Sequence, residues 1–223
     1  MIYVLTYDAP HRKTQDLLLQ LKIKGYDDIE ILATPWQTRK NFEPLIPHRR
    51  FEAYDSNLDY LCTRLGYKFK RVEINDLDFS ECDWVLIGGA GILPEKIVSS
   101  QKIINSHPAY LPYVRGLDSL KWAIYYKKPI GVTTHIISKE CDAGKLIKRK
   151  RVPMYSWDTF HSFASRQYEL EIEMLANSIK DLDDAPLSEL SINESEQMRR
   201  MPHKYEAELI NKFNSLVENI KLD

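Results

Sequence analysis

The chain has 223 residues, 43% of them hydrophobic and 28% charged, which suits one sizeable globular domain with at most a small appendage. Its 31 basic and 32 acidic residues leave a formal net charge of −1, so no global basic surface recommends a nucleic-acid partner, and any anionic ligand has to be met locally. Cys62, Cys82 and Cys141 are an odd number with no paired spacing, which argues against a disulfide framework or zinc cluster. With no basic leader and no apolar run of roughly 18 residues, the expectation is a soluble, cytoplasmic protein without a membrane partner.

Short β-branched runs alternate with segments of helical period, the pattern of a sheet wrapped by crossover helices. The first strand candidate is IYVLTY at 2–7. A helix follows in HRKTQDLLLQLKIKGY, with Leu17, Leu18 and Leu21 on one face and Gly25 at its end. IEIL at 29–32 is the next strand. In YDSNLDYLCTRLGY, Leu58, Leu61, Cys62 and Leu65 keep helical spacing, with Asp55 or Ser56 as N-terminal cap and Gly66 as C-terminal stop. KFKRVEI at 68–74 alternates like a half-exposed strand, whereas WVLIGG at 84–89 and KIINSH at 102–107 are continuous enough to be buried on both faces.

LDSLKWAIYYKK predicts a helix beginning at Asp118 or Ser119, with Trp122 turned inward. GVTTHIIS at 131–138 and KLIKRKRVP at 145–153 predict two further strands, the second at an edge. The longest helix is expected over 156–182, capped near Asp158, with Phe160, Phe163, Ala164, Tyr168, Ile172, Leu175, Ala176 and Ile179 on one stripe. Residues 183–203 lose periodicity and read as a linker or irregular arm. A terminal helix follows, whose stripe of Tyr205, Leu209, Ile210, Phe213, Leu216, Val217 and Ile220 is either core or a homodimer surface. The expected fold is a doubly wound, mostly parallel α/β sheet flanked by helices. Residues 1–182 form the catalytic domain, and 183–223 form an arm with a short helical extension.

The chemistry concentrates in INSHPAYLPYVRGLDSLKWAI and, 35 residues after His107, in CDAGKLI. Side chains two apart on a strand share a face, so Asn105 and His107 emerge together at a strand end, and Pro108 keeps the residue before it extended. Ligands of open parallel sheets bind beyond the strand C-termini. A carboxamide can donate to a developing oxyanion, an imidazolium can do so while moving a proton, and Asp142 can hold the imidazole charged or take a proton from an attacking amine. An ordinary polar strand end is the competing reading, and spacing does not exclude it. Cys141 has no base beside it in sequence and reads as packing.

NSHPAYLPYVRGLDSLKWAI, PIGVTTHIIS and CDAGKLI, in that order, resemble the folate-dependent formyltransferase family across roughly residues 84–160, with weaker likeness toward the N-terminus. The resemblance implies Asn105, His107 and Asp142 as catalytic residues, 10-formyltetrahydrofolate as co-substrate with no metal, and an amine as acceptor. It further implies that GGAGILPEKI at 88–97 lines the pterin cavity through Gly89, Ile92 and Leu93. The loop from Ile137 through Cys141 to Asp142 would bind the pterin through its backbone. Gly91 stands where many relatives carry arginine.

Within that family, the turn after the first strand, TYDAPHRKT, has no glycine, and no glycine precedes Gly25. Close backbone approach to a phosphate needs such residues, so glycinamide ribonucleotide is disfavoured as acceptor and a nucleotide-linked amino sugar preferred. Initiator-tRNA relatives carry a further β-barrel domain and a basic surface. Candidate substrate contacts are His11, Arg12, Lys13, Tyr110 and Arg115, with Arg199 and Arg200 further along. Remaining alternatives are phosphoribosylglycinamide formylation, 10-formyltetrahydrofolate hydrolysis, and a non-catalytic folate or nucleotide binder. A metal site on His107, His135 and Asp142 lacks ligand spacing.

Overall fold

A computed structural model describes residues 1–36, 42–48, 57–184, 186–191 and 195–220. Strands β1 (Ile2–Tyr7), β2 (Ile29–Thr34), β3 (Lys68–Arg71), β4 (Trp84–Ile87) and β5 (Ile103–His107) run parallel in the order β3-β2-β1-β4-β5. The order reverses direction at β1, which is the doubly wound arrangement expected. Helices α1 (Arg12–Ile23), α2 (Leu58–Leu65) and α3 (Glu95–Val98) make the crossovers. Gly25 and Gly66 adopt φ of 82° and 75°, so each helix stops where a left-handed residue is tolerated. At α2 the cap is Asn57, whose side chain accepts from the Asp59 amide; Asp55 and Ser56 lie outside the described residues.

After β5 come β6 (Arg115–Gly116), α4 (Ser119–Tyr125), β7 (Gly131–Ile137), β8 (Gly144–Arg151) and α5 (Phe160–Asp184). The end of the chain adds β9 (Ser188–Glu189), β10 (Gln197–Met198) and α6 (His203–Ile220). β7 is antiparallel to β5, β8 to β7 and β9 to β8, so the sheet is parallel only through its first five strands. The predicted edge strand is β8, covered by β9 only at Lys145 and Leu146.

Alternate residues divide the core between two faces. Val4, Ile31, Leu86, Ile104 and Ile136 pack with Leu17, Leu18 and Leu21 of α1 and Leu175 and Ala176 of α5. Tyr3, Leu5, Val85 and Ile103 pack on the opposite face, with Leu93 and Ile137 against them. α5 carries its predicted stripe, but Tyr168 and Ile179 are only partly buried. Asp158, instead of starting a simple cap, accepts from the Tyr155 amide, Ser162 and both terminal nitrogens of Arg166. Those bonds hold its carboxyl below the usual carboxylate range, the Arg166 guanidinium being the largest cause.

The terminal stripe is core. Leu209, Phe213 and Val217 pack against Leu120, Ile124, Phe160 and Phe163, while Ile210 and Ile220 fall outside it and are exposed. Among the described residues of 183–203, α5 runs to Asp184, β9 joins the main sheet and β10 pairs with β6. Lys121 of α4 and Glu206 of α6 form an ion pair with both side chains fully buried, and Glu206 also accepts from the Leu45 amide. Among the described residues no helix is long and apolar enough to cross a membrane.

Candidate active site

Asn105 and His107 leave β5 on the face shared with Ile103, while Ile104 and Ser106 face α5, where the Ser106 hydroxyl donates to the Glu171 carbonyl. On β7, His135 lies directly opposite Asn105 and Thr133 opposite His107, so these side chains share that face. β7 runs the other way, and Ile136 already stands beside Ile104 near the start of β5. The loop 138–143 therefore folds back over the sheet, by about 10 Å at the rise of a strand, to deliver Asp142. Its carboxylate Oδ1 lies 3.3 Å from His107 Nδ1, with both side chains about nine-tenths buried. His107, the last residue of β5, and Asp142 thus meet at the C-terminal end of that strand, with Asn105 on the same face.

Two glycines make that return path possible. Gly144 has φ of 110°, and a Cβ there would lie 2.1 Å from the Ile136 carbonyl; Gly116 has φ of 88° and would place a Cβ 2.2 Å from the Met198 carbonyl. The Gly116 amide, left open to the loop, donates to Asp142 Oδ2 at 2.6 Å. Asp142 itself sits at φ of 53°, a left-handed conformation that costs a non-glycine residue of the order of 1–3 kcal/mol and persists only where neighbours enforce it.

The hydrogen bonds admit a charged imidazole. The Ser119 hydroxyl donates its one proton to the Gly116 carbonyl at 2.8 Å and lies 3.1 Å from His107 Nε2. With that proton on Gly116 the oxygen is an acceptor toward the ring, and the ring's other nitrogen faces a carboxylate. An imidazole with an acceptor at each nitrogen is satisfied by carrying both protons. Asn105 is half-buried, and its carboxamide has no hydrogen-bond partner among the described residues. The face can accordingly supply a free amide donor and a positive charge to an oxygen gaining negative charge, beside a carboxylate able to take a proton.

Sequence reasoning missed Ser119 and gave His135 no role outside a rejected metal site. His135 is buried; burial pushes its imidazole down to about 4, the positive charge of His107 acts in the same direction, and Asp142 opposes them. Its Nδ1 bonds the Ala143 carbonyl at 2.9 Å and must be the donor, which leaves Nε2 a buried acceptor with no partner. Alternation in GVTTHIIS puts Thr133, His135 and Ile137 on one face but does not say which. Cys141 is exposed, yet desolvation of its sulfur, with the Asp142 carboxylate adding, pushes the thiol up to about 11, consistent with an inert neighbour.

The remaining predicted contacts divide. Leu93 and Ile137 share one apolar cluster, whereas Ile92 is 94% exposed. Gly89 lies under the His11 ring, which a Cβ would meet at 2.8 Å, so the turn after β1 and the GGAG segment are in contact. Arg12 pairs with Asp16, and Lys13 pairs with Glu171 at 2.7 Å, tying α1 to α5. Tyr110 lies beneath Arg149 and Arg151 of β8, at 4.9 and 5.6 Å. Arg115 donates to two backbone carbonyls, Cys141 and Ser195, each at 3.0 Å. Arg200 reaches Asp118, and Arg199 offers its carbonyl to Trp122, which is buried as expected.

A cavity of about 180 Å³ lies between α3 and the β7–β8 turn, lined by Glu95, Val98, Ile137 and Ser138 among others, and by none of Asn105, His107 or Asp142. Another of about 380 Å³ lies between α4, β8 and α6 and holds none of the predicted residues. Among the described residues no cluster of three or more histidine, cysteine or acidic side chains is placed to hold a metal ion.

The sequence profile of a family described as formyl transferase matches residues 66–179. A dTDP-4-amino-4,6-dideoxyglucose formyltransferase of Mycobacterium tuberculosis is 27% identical over 117 residues, 48% of this chain and 50% of that protein. The chain thus spans about half the length of this curated relative. The formyltransferase PseJ from Anoxybacillus kamchatkensis, solved with UDP-4,6-dideoxy-4-formamido-L-AltNAc and tetrahydrofolate, superimposes at a TM-score of 0.55 and 17% identity. That match covers 99% of this chain and 97% of the other. Phosphoribosylglycinamide formyltransferase from Anaplasma phagocytophilum gives a TM-score of 0.57 at 22% identity, covering 89% and 99%. At these identities the structural matches speak for the fold alone.

Proposed function

The chain belongs to the formyl transferase family, whose profile matches just over half of it, and from that premise we propose that it moves a formyl group from 10-formyltetrahydrofolate to the amine of a nucleotide-linked amino sugar. The observation that carries the reading is the return of Asp142 across the sheet to within 3.3 Å of His107, on the face that also carries the Asn105 amide, unpartnered among the described residues. The substrate amine attacks the formyl carbon directly. Asn105 donates to the resulting oxyanion, charged His107 stabilises it, and Asp142 takes the proton lost by the amine. As the carbon–nitrogen bond to the folate breaks, a proton returns to the leaving nitrogen.

The folate's place is supported by the shared cluster of Leu93 and Ile137 and by the His135 acceptor near the loop 138–143, which has no partner among the described residues. The sugar acceptor is supported by the activity of the mycobacterial relative and by the glycine-free turn after β1. That turn is the reason to rank glycinamide ribonucleotide second.

The test is turnover with 10-formyltetrahydrofolate and each acceptor in turn. Release of tetrahydrofolate should require dTDP-4-amino-4,6-dideoxyglucose or its UDP-linked counterpart. Equal rates without acceptor would make the protein a hydrolase, and preference for glycinamide ribonucleotide would reverse the choice of substrate. Asp142→Asn should retain its fold and lose on the order of a hundred- to a thousand-fold in kcat.

A further inference from the structure

We infer that Arg115, together with the C-terminal strand β10, is the positioning device for Asp142, so that the arm following α5 belongs to the working site. This rests on the reading of Asp142 as the acid–base group. The geometry is specific to the acid. Arg115 Nη1 donates at 3.0 Å to the Cys141 carbonyl, the oxygen of the peptide unit that enters Asp142. Holding that peptide plane restrains one side of the left-handed φ of 53° that turns the carboxylate toward His107. Arg115 Nη2 donates at 3.0 Å to the Ser195 carbonyl, so the same guanidinium bridges the acid's loop to the arm.

The arm completes the hold from the other side. β10 pairs with β6, aligning Gln197 with Arg115 and Met198 with Gly116, and the Leu117 amide donates to the Met198 carbonyl at 2.9 Å. That pairing sets the orientation of the Gly116 amide, which donates to Asp142 Oδ2. The Asp142 backbone is thus held through Arg115 and its side chain through Gly116, two adjacent residues of one strand that the arm locks in place. A planar guanidinium donating to two carbonyls does this where an ammonium on a flexible stem makes only one such contact well. The sequence makes Arg115 a candidate substrate contact; both its terminal nitrogens donate to backbone carbonyls.

Glycine-specific 15N labelling gives a readout free of any substrate, with only eight resonances to assign. The Gly116 amide proton, bonded to a carboxylate, should lie downfield and move upfield in Asp142→Asn. Arg115→Ala should move it in the same direction, and Arg115→Lys by less. A Gly116 amide left at its native position in Arg115→Ala would overturn the inference. With the acceptor that supports turnover, Arg115→Ala should lower kcat on the order of ten- to a hundred-fold with KM changed less than about twofold. A raised KM at unchanged kcat would make Arg115 a substrate contact and also overturn it. In Arg115→Ala/Asp142→Asn, the second loss should vanish, because two residues acting through one group are not additive. If Asp142→Asn shifts the Gly116 amide yet turns over normally, the catalytic reading falls and the positioning geometry stands.

Discussion

His135 shows how one residue can be tuned by neighbours that the sequence sets far away. Its imidazole is held near 4 by burial and by His107, whereas an unfolded histidine titrates near 6.5. Between those values the unfolded chain binds a proton that the native state refuses, so stability falls as pH drops from about 6.5 toward 4 and is unaffected above that window. Thermal midpoints across this range should decline in the native protein, and more shallowly in His135→Gln; identical slopes would remove His135 from the acid sensitivity. Asn105 and His107 were legible because a period of two puts them on one face. Asp142 was legible only through the order of motifs, since nothing local in CDAG specifies a loop that doubles back and a left-handed aspartate held by Arg115 and Gly116.

At the scale of elements, periodicity located nearly every helix and long strand, and glycine marked the ends of α1 and α2 where left-handed geometry is observed. It failed where the determinant is tertiary. β9 and β10 are two residues each and exist by pairing with strands already in place, a signal too short for any period. The buried Lys121–Glu206 pair was hidden for the same reason: both positions look like solvated charges until α6 is laid on α4. Lys121→Met leaves a carboxylate buried without its cation and should cost about 3–5 kcal/mol in urea unfolding. Lys121→Met/Glu206→Gln keeps an acceptor for the Leu45 amide, removes the stranded charge and should recover most of that loss.

For the whole molecule, the open question in the sequence was whether the terminal helix is an appendage or part of the core. Leu209, Phe213 and Val217 close over Phe160 and Phe163. At roughly 1.5–3 kcal/mol for each fully buried apolar side chain, those three residues approach the net stability of an ordinary domain. A chain ending at Pro202 should accordingly be insoluble or lack a cooperative thermal transition, and a cooperative transition in that fragment would count against the claim. The sheet's composition was legible from its apolar runs, but its reversal at β7 was not, because parallel and antiparallel neighbours draw on the same residues.

That reversal divides the assembly of the site in time. β7 and β8 are joined by residues 138–143 alone, so Thr133, His135 and Asp142 ride on a hairpin whose contacts are close in sequence and whose closure is fast. Asn105 and His107 wait on parallel pairing of β5 with β4, across a longer excursion of chain. Chemical competence then arises only when the quickly formed hairpin docks along β5, and nascent or partly folded molecules carry both halves of the machinery without being able to use them.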